Sequence, residues 1–134
     1  MVSKRTKGNK AKNEVINILK IQGAIVADVE KAHRFVKGSR DLFGLFDVLG
    51  IEVIENNLGI SRYIQVAHKS HVHNHKNLLA FAQLYAHTYL TVEQWVKTDD
   101  GFEKFLYEKD DIYYHHKGNK IIKRKARACT KRDD

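Results

Sequence analysis

Asp47 stands in the middle of the most apolar stretch of the sequence. Residues 42–54 are rich in Leu, Phe, Val and Ile, and only Asp47 and Glu52 carry charge there. This composition predicts a central strand that is covered on both faces. A buried charge in such a strand is costly unless it pairs with a cation or binds a metal ion. Asp47 is therefore the first candidate for a functional side chain, with a polar residue that caps a bulge as the structural alternative.

A second predicted strand carries a polar side chain next to this one. Residues 55–59, Glu-Asn-Asn-Leu-Gly, predict a turn that leads into a strand over residues 61–68. Gln65 lies in that strand, so the hairpin brings it close to Asp47. Lys69 is four residues further along and shares a strand face with Gln65 if the strand continues.

The rest of the chain supplies helices and further strands around this pair. Apolar residues recur at helical spacing in residues 11–22 and 77–89, and they alternate with polar residues elsewhere. Pro is absent, so Gly, Asn and Asp mark the breaks. The predicted order is α-β-β-β-α-β-β, an α/β (α+β) fold with a mixed sheet flanked by helices. The predicted strands cover residues 24–35, 42–54, 61–68, 91–97 and 102–108.

This order, with its polar strand residues, resembles the PD-(D/E)xK nuclease superfamily. Small viral and prophage members have a strand of the form RDLFG-x-F-D-x-L, which residues 40–49 match as RDLFGLFDVL. A Q-V strand follows in those members, and here it is Gln65-Val66. The resemblance covers roughly residues 11–108. It implies a restriction-endonuclease-like αβββαβ core with basic tails outside it.

The resemblance gives functional positions to three residues. Asp47 matches the Asp of the PD motif, which is a metal ligand. Gln65 stands where the family places the second acid, also a metal ligand. Glu14 matches the Glu that many members carry on their first helix, and it joins the expected catalytic set.

The chemistry implied is phosphodiester hydrolysis with Mg²⁺, or Mn²⁺, as the cofactor. The carboxylate of Asp47 and the side-chain carbonyl of Gln65 are ligands that suit a hard divalent cation. Such an ion lowers the pKa of a bound water and offsets developing negative charge, while a lysine positions the nucleophile. The family lysine falls on Ala67 in this sequence. Lys69 is the expected catalytic substitute, and Lys76 is the alternative.

Positive charge is concentrated at both ends of the chain, whose formal charge is +8. Residues 1–12 hold five Lys and Arg and residues 117–132 hold eight, with no acidic residue in either segment. Such segments bind polyanions, because each neutralised phosphate releases counterions; a merely solvated tail is the alternative. We expect a disordered arm at 1–10, a nuclease-like domain at 11–116 and a basic arm at 117–134. The candidate nucleic-acid-binding residues are Arg40, Lys76, Lys123, Arg124, Lys125 and Arg127.

Three histidines alternate along the chain at His71, His73 and His75. In an extended segment they would lie on one side and could chelate Zn²⁺ or Ni²⁺. The sequence lacks the separated ligand pairs that are usual for a structural zinc site. A polar loop over the mouth of the site is the favoured interpretation.

The leading hypothesis is a metal-dependent endonuclease acting on DNA, including structured or branched DNA in the manner of Holliday-junction resolvases. By resemblance, the enzyme is a homodimer. The first alternative is a non-catalytic nucleic-acid-binding protein on a decayed nuclease fold, and the second is a protein-interaction module. RNA stays open as the nucleic acid.

The expected setting is the cytoplasm, or the host cell interior if the protein is viral. The sequence has no apolar run near the roughly 18 residues that a membrane span needs. Its single cysteine, Cys129, fits a reducing compartment.

Overall fold

The computed structural model of the protein describes residues 4–29, 31–32, 39–40, 43, 45–55, 58–68 and 75–125. These residues form two helices and a large mixed sheet, so the expected α+β class is confirmed. Neither helix is long and apolar enough to cross a membrane.

The elements follow one another along the chain in a simple order. The helices are α1, Lys4–Ile21, and α2, His75–Tyr85. The strands are β1 Ile25–Asp28, β2 Lys31–Ala32, β3 Ser39–Arg40, β4 Val48–Glu55, β5 Leu58–His68, β6 Leu90–Thr98, β7 Gly101–Tyr107, β8 Ile112–Lys117 and β9 Lys120–Lys125.

Seven strands form one sheet in the order β1-β4-β5-β6-β7-β8-β9, and β2 pairs with β3 separately. Neighbours in the large sheet are antiparallel except β5 and β6, which run parallel. Parallel neighbours need a crossover connection, and α2 supplies it. As a result Gln65 of β5 lies beside Gln94 of β6, and His68 lies beside Lys97.

Each face of the sheet buries its own hydrophobic cluster under one helix. On the α1 face, Leu19 of the helix packs with Ile64 and Trp95. On the α2 face, Leu78 of the helix packs with Val96. Side chains alternate along a strand, so these two clusters assign every residue of the central strands to one face or the other.

The strand that carries Asp47 is shorter than the sequence predicts. β4 begins at Val48, so Asp47 lies immediately before the strand rather than in the middle of residues 42–54. Phe43 has φ of 57°, a left-handed conformation that is incompatible with a continuous strand. β1 is also shorter than predicted, covering only the start of residues 24–35.

The segments predicted as basic arms are partly folded, which corrects both boundaries. α1 begins at Lys4 rather than at residue 11. Residues 120–125 form β9, an edge strand of the sheet. A hairpin turn with Gly118 at φ 60° joins β8 to β9, and Gly is favoured where such a turn needs positive φ.

A buried ion pair on the α1 face joins β5 to β6. Nε and Nη2 of Arg62 donate to the two carboxylate oxygens of Glu93, each at 2.8 Å, and Nη1 donates to Glu52 at 2.9 Å. The Thr91 hydroxyl and the Trp95 indole N–H also donate to Glu93. Burial alone would raise the pKa of Glu93, but the hydrogen bonds and charge of Arg62 outweigh it and hold that pKa below its usual value.

We expect Arg62→Met to lower the free energy of unfolding at pH 7 by about 3–5 kcal/mol, because a buried carboxylate loses its counter-charge. Urea denaturation measures this loss. The pKa of Glu93 is lowered in the folded protein, so the pair stabilises the fold above the ordinary pKa of 4.5 and ceases to do so as the pH falls through the lowered pKa. The difference between Arg62→Met and the parent should therefore shrink in acid.

The matched control is Lys97→Met, which removes a cation from the more exposed pair with Glu14 on the same face. Exposed pairs contribute about 0–1 kcal/mol, so this variant should unfold at nearly the parent urea concentration. Equal losses in the two variants would contradict the special role of the Arg62–Glu93 pair.

Candidate functional site

Asp47 is buried where β4 begins, beside β5. Its main-chain N–H donates to the Ile64 carbonyl, and its own carbonyl accepts from the Val29 N–H, both at 3.0 Å. Its carboxylate Oδ2 accepts from the N–H of Val66 at 2.7 Å. The pairing of β4 with β5 ends at Val48 and Ile64. Beyond that pair, the Asp47 carboxylate accepts the hydrogen bond of the Val66 N–H in place of a main-chain carbonyl.

The Gln65 carboxamide lies on the α2 face and is held at both ends. Its Nε2 donates to the Leu45 carbonyl at 3.0 Å, and its Oε1 accepts from Nε2 of Gln94 at 2.5 Å. Gln94 is fully buried, and its own Oε1 has no hydrogen-bond partner among the residues described. An unsatisfied buried carbonyl oxygen costs roughly 1–3 kcal/mol.

Glu14 lies on the opposite face of the sheet from Gln65. Its Oε2 accepts from Nζ of Lys97 at 2.8 Å. Lys97 is in register with His68, three residues beyond Gln65. The Glu14–Lys97 pair therefore shares an end of the sheet with Asp47 and Gln65, although the sheet itself separates it from Gln65.

These groups define one polar region, which we call the β5–β6 end. It has a carboxylate between the strands at Asp47, a carboxamide pair on the α2 face at Gln65 and Gln94, and an ion pair on the α1 face between Glu14 and Lys97. All five side chains are placed by the antiparallel β4–β5 pairing, the parallel β5–β6 pairing and the packing of α1.

The sequence predicts no functional role for Gln94 or Lys97, because the alternation of residues 91–97 is that of an ordinary strand. A usable signal was nevertheless present. A helix between two strands is long enough to let them run parallel, and Gln94 and Lys97 repeat the spacing of Gln65 and His68. In the observed register these residues are cross-strand partners.

The remaining predicted site residues are spread over three elements. Lys76 is exposed in the first turn of α2, and Arg40 lies in the short strand β3. Lys123, Arg124 and Lys125 are exposed on β9. Lys69 and Arg127 lie outside the described residues.

Of the three alternating histidines, His75 begins α2, while His71 and His73 lie outside the described residues. Nδ1 of His75 is 2.6 Å from the Tyr107 hydroxyl, and the imidazole stacks on Tyr113. Burial, with a smaller effect of Tyr113, raises the pKa of Tyr107, so its hydroxyl stays neutral and can donate to Nδ1. His75 therefore anchors the start of the crossover helix to the sheet.

The side chains at the β5–β6 end fit a hard cation by their donor chemistry. No group of three or more His, Cys, Asp and Glu within the described ranges is placed to hold a metal ion. The donors present instead are the carboxylate of Asp47 and the carboxamide oxygens of Gln65 and Gln94, the last of them without a protein partner in the described part of the chain. Oxygen donors of these types suit Mg²⁺ or Mn²⁺.

No protein-family model, curated protein or solved structure matches this chain. Its function must therefore be inferred from its residues and their geometry.

We expect Gln94→Leu to leave the free energy of unfolding unchanged or to raise it by up to about 2 kcal/mol, because it removes an unpaired buried oxygen. Gln65, which is only half-buried, can replace the lost donor with water. Urea denaturation with Gln94→Leu and Gln94→Ala separates the loss of polarity from the cavity that Ala leaves. A loss above about 1 kcal/mol in Gln94→Leu would show that this oxygen has a stabilising partner, such as an ordered water.

Proposed function

We propose that this protein is a metal-dependent endonuclease that acts on DNA, with its active site at the β5–β6 end. The observation that carries the proposal is a buried carboxylate, Asp47, whose Oδ2 lies 2.7 Å from the main chain of β5 at the residue next to Gln65. The order of the elements also supports it. Apart from the small β2–β3 ladder, the chain runs α1-β1-β4-β5-α2-β6, the order implied by the resemblance to PD-(D/E)xK nucleases.

The proposed roles follow from the chemistry of each group. Asp47 supplies the negative charge that holds Mg²⁺, and Gln65 contributes a neutral oxygen. The bound ion supplies an activated water and offsets the charge that develops on phosphate. Gln94 donates to Gln65 and fixes the orientation of its carboxamide. Lys97 places a cation at the same end of the sheet, and Glu14 holds its ammonium in position.

A non-catalytic nucleic-acid-binding protein is the second candidate, and a specific observation favours it. Each charged group of the β5–β6 end already has a protein partner: Asp47 bonds to Val66, and Lys97 bonds to Glu14. Ala67 also stands at the position of the family lysine. Such a protein would bind DNA without cutting it.

A second copy of the chain is the proposed partner in a homodimer. Three apolar side chains near the β1 edge are exposed, namely Ile25 at 73%, Val53 at 66% and Ile51 at 40%. They share one face, since Ile25 and Ile51 are register partners and Val53 is two residues further along β4. α2 packs against β6 and β7, well away from this edge. Exposed apolar groups that lie together are typical of interfaces.

We expect Val53→Asp to convert a dimer into a monomer, because a charge would be buried in an apolar contact. Sedimentation velocity measures the change. Leu84→Asp is the matched control, since Leu84 is equally apolar and 70% exposed on α2. A parent protein that sediments as a monomer, or a dimer that survives Val53→Asp, would exclude this face as the dimer interface.

We expect Asp47→Asn to reduce cleavage at least about 100-fold, since the metal ion would lose the charged ligand that Asp47 supplies and with it several kcal/mol of barrier reduction. Folding should be retained, because the Asn oxygen can still accept from Val66. The parent and the variant are compared on linear, single-stranded and four-way-junction DNA with Mg²⁺, with Mn²⁺ and with EDTA.

The control for this experiment is Asp100→Asn, the same chemical change in the exposed β6–β7 turn. It should cut at the parent rate. Undiminished cleavage by Asp47→Asn would remove Asp47 from the site. DNA binding without cleavage by the parent under every metal condition would favour the non-catalytic protein.

A further inference from the structure

The outer half of the sheet has one packed face and one open face. On the α2 face of β7 and β8, Phe105, Tyr107 and His115 are buried. On the α1 face, the helix packs against β1, β4 and β5 and leaves β7 to β9 to one side. The cross-strand partners of β7, β8 and β9 show which side chains lie on this open face.

The register separates the basic residues of β9 into two sets. Lys123 is opposite Tyr114, and that residue is opposite Leu106. Because directly opposed residues share a face, Lys123 and Lys125 lie on the open face, together with Lys104 and His116. Lys120 and Arg124 pair with Lys117 and Tyr113 and so lie on the α2 face.

The open face of β7 to β9 carries cations without acids among its described residues. It presents Lys104, Lys123 and Lys125, interspersed with His116, Tyr114 and apolar side chains. The neighbouring acids Glu52 and Glu93, on β4 and β6, share one cation, Arg62. The positive charge of the open face therefore comes from three lysines on β7 and β9.

A concavity lies at the inner margin of this face. Its volume is about 340 Å³, and its polar lining includes Glu52, Arg62, Glu93, Lys104 and His116. The Lys104 ammonium stands 4.2 Å from the centre of the Trp95 ring. Burial, together with the neighbouring charge of Arg62, lowers the pKa of Lys104, which an incoming anion would reverse.

We propose that the open face of β7 to β9 binds the phosphate backbone of double-stranded DNA through Lys104, Lys123 and Lys125. A single strand is held mainly by bases that stack on exposed aromatic rings. On this face Tyr114 is only half-buried and Trp95 is covered by Lys104, so cations outnumber accessible rings. Such a surface suits the phosphate backbone of a duplex, which is rigid and carries its charges at regular spacing.

The open face belongs to the α1 side of the sheet, whereas Gln65 and Gln94 of the β5–β6 end lie on the α2 face. The proposal takes DNA as the ligand from the proposed function, but it does not require that the protein cut DNA.

The test compares two double variants that remove the same charge from opposite faces of the sheet. Lys123→Gln with Lys125→Gln alters the open face, and Lys117→Gln with Lys120→Gln is the control on the α2 face. Binding of a fluorescein-labelled 20-base-pair duplex is followed by anisotropy from 50 to 200 mM NaCl, with EDTA present to prevent cleavage. All four residues are exposed, so thermal melts of both double variants should match the parent.

We expect the open-face variant to lose about tenfold or more in affinity and to lower the slope of log K against log salt by about 2. The control should stay within about twofold of the parent. Fluorescence of Trp95, the single tryptophan, should change on binding because Lys104 covers its ring. Equal effects of both variants, no effect of either, or tighter binding of the matching single strand would overturn the proposal.

These outcomes are independent of the nuclease activity. If the open-face variant loses affinity while the parent never cleaves DNA, the DNA-binding surface is supported and the nuclease activity is excluded. If Asp47→Asn abolishes cleavage while both double variants bind DNA equally well, the nuclease activity is supported and the DNA-binding surface is excluded.

Discussion

The parallel pairing of β5 with β6 is the constraint on which the candidate site depends. It requires the crossover through α2, and His75 fastens the start of that helix to Tyr107. Parallel register places Gln94 beside Gln65 and Lys97 beside His68. Without it, Asp47 would face a lone glutamine at the end of a hairpin. With it, three kinds of polar group meet at one end of the sheet.

The sequence predicted the order of the elements better than their limits. Apolar periodicity marks α1 and α2 because each helix buries one face against the sheet, and the central strands are apolar because a hydrophobic cluster covers each of their faces. It missed the break before β4, where Phe43 takes a left-handed conformation that no local pattern announces. It also missed β9, because six residues dominated by lysine and arginine predict a solvated tail, whereas the hairpin turn at Gly118 pairs them with β8.

The site was predictable in its polar residues but not in their partners. Asp47 stood out because charge is rare in an apolar segment, and its burial agrees with that expectation. Gln94 gave no such signal, since an uncharged side chain in an alternating strand is ordinary. Glu14 was expected in the catalytic set with Asp47 and Gln65, and the packing of α1 places its carboxylate on Lys97, on the α1 face of the sheet. Which face a helix covers is a tertiary property that a single sequence does not encode locally.

The basic strand β9 has a further consequence because it forms the outer edge of the sheet. An edge strand offers unpaired main-chain groups to any other extended chain, and dense lysine along it discourages such pairing. The sheet is therefore protected against strand addition, because a second copy of the same edge is repelled by Lys120, Lys123 and Lys125. Loss of these charges would promote self-association of the protein as well as weaken the proposed binding of DNA. One short segment therefore has to satisfy both solubility and ligand binding.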